Sequence, residues 1–133
     1  MWTKTLHVES SLPEKRNQYA FFLGRFQPLH KGHQELFYQA LKHGKNILIG
    51  IRDIPVDENN PFTSEQIKQN IESIYAEQIQ SKQVIVMIMP CDIGSIEFGR
   101  GVGYNIIEHI PPVEISDISA TKIRAKMREN GEL

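Results

Sequence analysis

The chain has one cysteine and one tryptophan in 133 residues, a formal charge of only −1, and no apolar run approaching the ~20 residues a membrane-crossing helix needs. A lone Cys91 can form neither an internal disulfide nor a cysteine-rich metal site, so a reducing compartment, the cytoplasm, is expected, with Cys91 as a small buried apolar residue behind a strand. The balanced charge excludes the broad basic face that holds polynucleotides; no nucleic-acid partner and no membrane contact are expected, while a small phosphorylated ligand needs only a local cluster of cations. No Gly-x-x-x-x-Gly-Lys P-loop, internal repeat, heptad pattern or low-complexity tract is present. Residues 1–18 lack the apolar core of a signal peptide and read as a surface arm, with a short strand around Thr5 to Glu9 and Trp2 as a packing or interface residue. That leaves residues 19–133 as one domain of ordinary size.

What is present is an alternation of short apolar runs and helical patterns. Tyr19 to Gly24, Asn46 to Ile51 and Gln83 to Met89 are continuous apolar strands of the kind buried on both faces of a sheet. Between them, Gly32 to His43 carries Leu36, Phe37, Ala40 and Leu41 on one helical stripe and stops at Gly44. A second helix opens at Thr63, with Gln66 three residues on as a capping box, and presents Ile67, Ile71 and Ile74. The fold class is therefore α/β: a single Rossmann-like domain with a parallel sheet flanked by helices. Beyond Cys91 the pattern weakens; Tyr104 to Ile110 suggests an edge strand, Val113 to Ile115 another short strand, and Ala120 to Glu129 the last helix.

The most informative segment is Gly24-Arg25-Phe26-Gln27-Pro28-Leu29-His30-Lys31-Gly32-His33. It runs from a strand through a glycine turn into a helix start, where an anion is favoured, and puts two imidazoles three residues apart. Gly24 and Gly32 keep the turn and the helix start clear of Cβ atoms, and Pro28 stiffens the loop. An isolated His-x-x-His is more often surface polarity or adventitious zinc binding. Here His7, His43 and His109 are scattered and supply no further zinc ligand at a recognisable spacing. A second helix start, Ile118-Ser119-Ala120-Thr121-Lys122-Ile123-Arg124, offers hydroxyls and two cations. Alone, Lys122 and Arg124 would read as a solvated face. Together the two segments suit nucleotidyl transfer. An ionised phosphate nucleophile needs no strong base there, only alignment of two anions and charge stabilisation by imidazoles, guanidinium, a helix start and Mg2+.

These two segments resemble the paired signatures of the cytidylyltransferase-like nucleotidyltransferase superfamily. Asn60-Pro61-Phe62-Thr63 and the Gly-Arg-Phe-Gln-Pro opening are similar to archaeal-type nicotinamide-mononucleotide adenylyltransferases, whereas the chain length is nearer that of the small cytidylyltransferases. The resemblance implies a transfer of a nucleoside monophosphate from ATP or CTP to a phosphorylated small molecule, releasing pyrophosphate. It implies catalytic roles for His30, His33 and Arg124. It also implies nucleotide contacts from Gly24, Arg25, Phe26, Gln27, Gly32, Ser119, Ala120, Thr121 and Lys122. Adenylyl transfer to nicotinamide mononucleotide is the first expectation, cytidylyl transfer to a sugar or polyol phosphate the second, and a non-catalytic nucleotide sensor the third.

Acceptor contacts are expected from Arg52 and Asp53, at the carboxyl end of a strand where open α/β sheets bind ligands. Asp53 and Asp92 are further candidates for magnesium or ribose contact. The Gly99-Arg100-Gly101-Val102-Gly103-Tyr104 loop reads first as a structural glycine loop and second as an acceptor lid using Arg100 and Tyr104. A homo-oligomer is allowed for, with Trp2 or the arm as the contact.

Overall fold

The computed structural model describes residues 3–8 and 18–133; Trp2 and residues 9–17, with most of the expected arm, lie outside the described residues. In chain order the elements are β1 (Thr3–His7), β2 (Tyr19–Gly24), α1 (Lys31–Lys42), β3 (Asn46–Ile51), α2 (Ser64–Ile74), α3 (Ala76–Gln80), β4 (Val84–Ile88), β5 (Ile106–His109), α4 (Val113–Ser116) and α5 (Ala120–Glu129).

Strands β2, β3 and β4 form a parallel sheet in that order, in a register that sets Phe21, Leu48 and Ile85 abreast. The strands step one way across the sheet, so right-handed crossovers carry α1 and α2 to the same face. Phe37 of α1 and Ile67 and Ile71 of α2 accordingly share one core cluster with Ile47, Ile49 and Ile51 of β3 and Val84 of β4. Each such buried side chain contributes about 1.5–3 kcal/mol by leaving water. Among the described residues, the opposite face is less covered than the apolar runs suggested. Phe21 is 44% exposed, Ile85 42% and Met87 38%. Continuous apolarity reports burial but not which face is buried, and the crossovers carry α1 and α2 to the other one.

The local signals account for the boundaries. Gly44 follows α1 at φ +79°, a left-handed position that glycine adopts without strain. Thr63 caps α2, accepting from Gln66 N at 3.1 Å while Gln66 Oε1 accepts from Thr63 N at 2.8 Å. Among the described residues, β1 and β5 pair antiparallel in a separate two-stranded sheet. The Thr3–His7 strand lies close to the position expected in the arm, and β5 falls within the expected edge segment. Val113 to Ile115 is not a strand: Pro112, at ψ 164°, is the N-cap of helical turn α4, which packs against α1. Cys91 is exposed rather than buried, because the chain has already left the sheet at Pro90.

Candidate active site

The histidine segment leaves β2 at Gly24 and enters α1 at His30, the N-cap. Backbone N–H of His33 donates to His30 Nδ1 at 3.4 Å, and N–H of His30 donates to His33 Nδ1 at 3.1 Å. This is a capping box built from two imidazoles, their rings stacked at 3.7 Å. Because each Nδ1 accepts, each ring carries its proton on Nε2; of the two, His33 lines the cavity and His30, outside that lining, stacks against it. Burial lowers the pKa of both rings; for His33 desolvation, then the neighbouring His30, takes it to about 4. The pair is therefore neutral at physiological pH and donates hydrogen bonds without carrying charge.

A depressed histidine pKa links the pair to stability. Above pH 6.5, the ordinary histidine value, His33 is neutral both folded and unfolded; as pH falls toward about 4 the unfolded chain takes up a proton that the folded one refuses. Stability contributed by the neutral ring is thus complete above 6.5 and is lost between 6.5 and about 4. Urea midpoints measured from pH 7.5 to 4.5 are expected to fall across this window and to fall less in His33→Gln. Equal slopes in both proteins would contradict the assignment.

Phe26, buried at φ +52°, lies edge-on to His33 at 5.0 Å and to Phe37 at 5.9 Å. The segment from Ser119 closes the other side. Arg124 is only 5% exposed; its Nη1 donates to the carbonyl of Gln27 at 2.7 Å and its Nη2 to Thr121 Oγ1 at 3.2 Å. Burial and then the nearby Arg25 and Arg128 lower its pKa, yet a guanidinium stays charged at any physiological pH. Arg25, Phe26, Gln27, His33, Ala120 and Arg124 line one cavity of about 100 Å³. That volume suits phosphate groups, with the remainder of a nucleotide extending outward.

Gly32 shows why the helix start must be bare. A Cβ there would sit 2.8 Å from His30 Cε1 and 3.0 Å from its Nδ1, with the ring held by its cap and its stack. Gly32→Ala gains about 1 kcal/mol of helix propensity and loses a similar amount of capping. Its melting temperature is expected to stay close to wild type while ligand turnover falls at least tenfold; unchanged turnover would show that the His30 ring position is irrelevant.

Several expected contacts are placed elsewhere. Ser119 caps α5, accepting from Lys122 N at 3.3 Å. The Lys122 side chain lies with Ser119, Ile118, Ile123 and Met127 on a separate groove along the other side of α5. Arg52 and Asp53 do stand at the carboxyl edge of the sheet, but both are engaged. Arg52 makes a two-bond ion pair with Asp92 at 2.8 and 3.1 Å, and Asp53 accepts from Ser64 Oγ at 3.0 Å. Arg100 and Tyr104 are exposed and do not line the cavity; their loop turns at positive-φ Gly101 and Gly103, and its Phe98 ring lies 5.0 Å from His7.

Sequence reasoning missed Arg128 and the turn it holds. Arg128 donates to the carbonyl of Glu58, Arg25 Nη1 donates to Asn60 Oδ1 at 3.4 Å, and Asp57 Oδ1 accepts from Asn59 N, Asn60 N and Asn60 Nδ2. The signal for Arg128 was its spacing of four from Arg124 on one helix stripe. Among the described residues, no three His, Cys, Asp or Glu side chains cluster to hold a metal, and no helix is long and apolar enough to cross a membrane.

A match to the cytidylyltransferase-like family model covers residues 21–93, from β2 through the histidine segment to the end of the β4 edge. The chain belongs to the cytidylyltransferase-like family. Curated relatives point the same way. Over 55 residues the chain is 38% identical to the nicotinamide-nucleotide adenylyltransferase of Thermoplasma acidophilum, a match covering 40% of this chain and 31% of that protein. Over 140 residues it is 26% identical to the enzyme of the same name from Archaeoglobus fulgidus, covering 83% of this chain and 80% of the relative. The Thermococcus sibiricus enzyme of that name is 28% identical over 137 residues, covering 82% and 73%. The matched segment thus spans less than a third of the Thermoplasma protein. No solved structure matches.

Proposed function

We propose that the protein is a nucleotidyltransferase that moves an adenylyl group from ATP to nicotinamide mononucleotide and releases pyrophosphate. One observation carries the reading: a neutral His33 and a buried Arg124 from opposite ends of the chain line the same small cavity. The Archaeoglobus fulgidus and Thermococcus sibiricus relatives, matched over most of their length and named nicotinamide-nucleotide adenylyltransferase, support the choice of acceptor and base.

In this reading the acceptor's phosphate oxygen, already ionised, attacks the α-phosphorus in line and the α–β bridging oxygen leaves with pyrophosphate. No covalent enzyme intermediate and no general base are required. Nε2–H of His33, with His30 stacked beside it, donates to phosphate oxygens as charge builds on them, and the Arg124 fork holds the leaving phosphates. Neutral imidazoles suit this role because they donate in a fixed tautomer over the whole working pH range. Ala120 brings the start of α5 to the same phosphates, with Thr121 Oγ1 accepting from Arg124 Nη2, whereas Arg100 and Tyr104 stand outside the cavity lining.

Magnesium is expected with the nucleotide, but the cavity lining includes no carboxylate, so these residues do not form a magnesium site. The ion would be held by the triphosphate's own oxygens and water. The reaction is placed in the cytoplasm, in keeping with a single, exposed and unpaired Cys91.

The test is a matrix of ATP and CTP against nicotinamide mononucleotide, glycerol phosphate and pantetheine phosphate, read by pyrophosphate release. Release with ATP and nicotinamide mononucleotide alone supports the reading. Release only with CTP and a polyol phosphate transfers the assignment to a cytidylyltransferase. Tight triphosphate binding without release in any cell leaves a nucleotide sensor.

A further inference from the structure

Gln27 is where separate stretches of the chain meet. Its side chain is 5% exposed and pairs twice with the Phe62 backbone: Nε2 donates to Phe62 O at 3.0 Å and Phe62 N–H donates to Oε1 at 3.0 Å. Its own carbonyl accepts from Arg124 Nη1 at 2.7 Å. The left-handed backbone of Phe26 just before it, rare for a residue with a bulky side chain, is held by a ring packed over Gly24 and against His33 and Phe37. Just before Phe62, Asp57 Oδ1 closes the 57–60 turn by accepting three hydrogen bonds. Beside the packing of Phe62 against the core and the Thr63 cap of α2, the segment's polar fastenings from Arg25 and Arg128 come from exposed side chains that water competes for. The Gln27 pair is buried.

We propose that Gln27 is a positioning residue that latches the 57–63 segment to the histidine loop and thereby builds the acceptor side of the cavity. The inference rests on the nucleotidyl-transfer reading. Cationic and imidazole donors on the Arg124 and His33 flank suit the polyphosphate. On the flank held by the latch, Arg25 lines the cavity and its Nη1 donates to Asn60 Oδ1 of the latched segment, so that segment sets a guanidinium suited to the phosphate of the acceptor.

Two variants test it, with ATP and nicotinamide mononucleotide varied separately and hydrogen exchange read at the Phe62 amide. Gln27→Met keeps length and volume and leaves the backbone carbonyl that holds Arg124, so the hydrogen bonds it removes are the two side-chain bonds to Phe62. The acceptor KM is expected to rise about tenfold, the ATP KM to stay within about twofold, and Phe62 exchange to quicken about tenfold, as for loss of a buried hydrogen-bonded pair. Gln27→Glu is expected to behave like Gln27→Met at pH 8. At pH 5.5 its acceptor KM should return toward wild type, because a buried carboxyl with a raised pKa regains the proton that Phe62 O accepts. Both KM values rising together, or neither changing, would overturn the latch, as would a Gln27→Glu acceptor KM independent of pH. Wild-type protein that releases no pyrophosphate would sink the transfer reading instead; in that event unchanged Phe62 exchange in Gln27→Met still overturns the latch.

Discussion

Replacing His33 with alanine is expected to lower pyrophosphate release by about 10²–10³-fold in a chain that still folds, the usual cost of removing one preorganised donor from developing phosphate charge. The fold should survive because His33 is half-buried at the first turn of α1, outside the cluster of Phe37, Ile47, Ile49, Ile51 and Ile71. Stability should drop by about 1 kcal/mol, since the His30 amide loses its partner on His33 Nδ1. The loss should fall on kcat rather than on ATP affinity, because a hydrogen bond that strengthens only as charge develops contributes little to the ground state. Single-turnover measurement with saturating ATP, beside a circular dichroism melt, checks both parts. A turnover within threefold of wild type would remove His33 from the chemistry.

Arg124→Lys is the second large effect. Lysine keeps the charge but not the planar fork, and Arg124 uses that fork to bond Gln27 O and Thr121 Oγ1 at once while facing the cavity. A lysine ammonium reaching Gln27 O would leave the phosphates unheld; one reaching the phosphates would leave a buried carbonyl unpaired, at a cost of about 1–3 kcal/mol. Either way kcat/KM for ATP is expected to fall at least a hundredfold, about 2.7 kcal/mol of transition-state stabilisation. Stopped pyrophosphate assays at varied ATP would show it. Full activity in Arg124→Lys would mean that charge alone is used and that the geometry described here is incidental.

Much of the framework was legible because it is written in local punctuation. Asn46 to Ile51 and Ala120 to Glu129 have the boundaries expected of them, and Thr63 with Gln66 announced the cap of α2. The histidine segment was legible for the same reason: a strand, a glycine and a helix start are neighbours in sequence. What was not legible depends on space rather than on neighbours. The less covered face of Phe21, Ile85 and Met87 follows from two crossovers running the same way, which apolar runs do not encode. Val113 to Ile115 has strand-forming side chains, but its place after Pro112 and against the start of α1 makes it a helical turn. Lys122 and Arg124 are two residues apart, and about 100° per residue of helix turns one away from the cavity when the other faces it. The Gln27 to Phe62 pair joins residues far apart in sequence and has no local signal at all.

The most direct test of the account follows the imidazole and guanidinium nitrogens by ¹⁵N NMR while ATP with magnesium is added. Nε2 of His30 and His33 and the Nη atoms of Arg124 should shift together along one binding curve, with both imidazoles remaining protonated at Nε2 and unprotonated at Nδ1. Shifts confined to the Ile118, Lys122 and Met127 side of α5, with His33 and Arg124 unmoved, would contradict it.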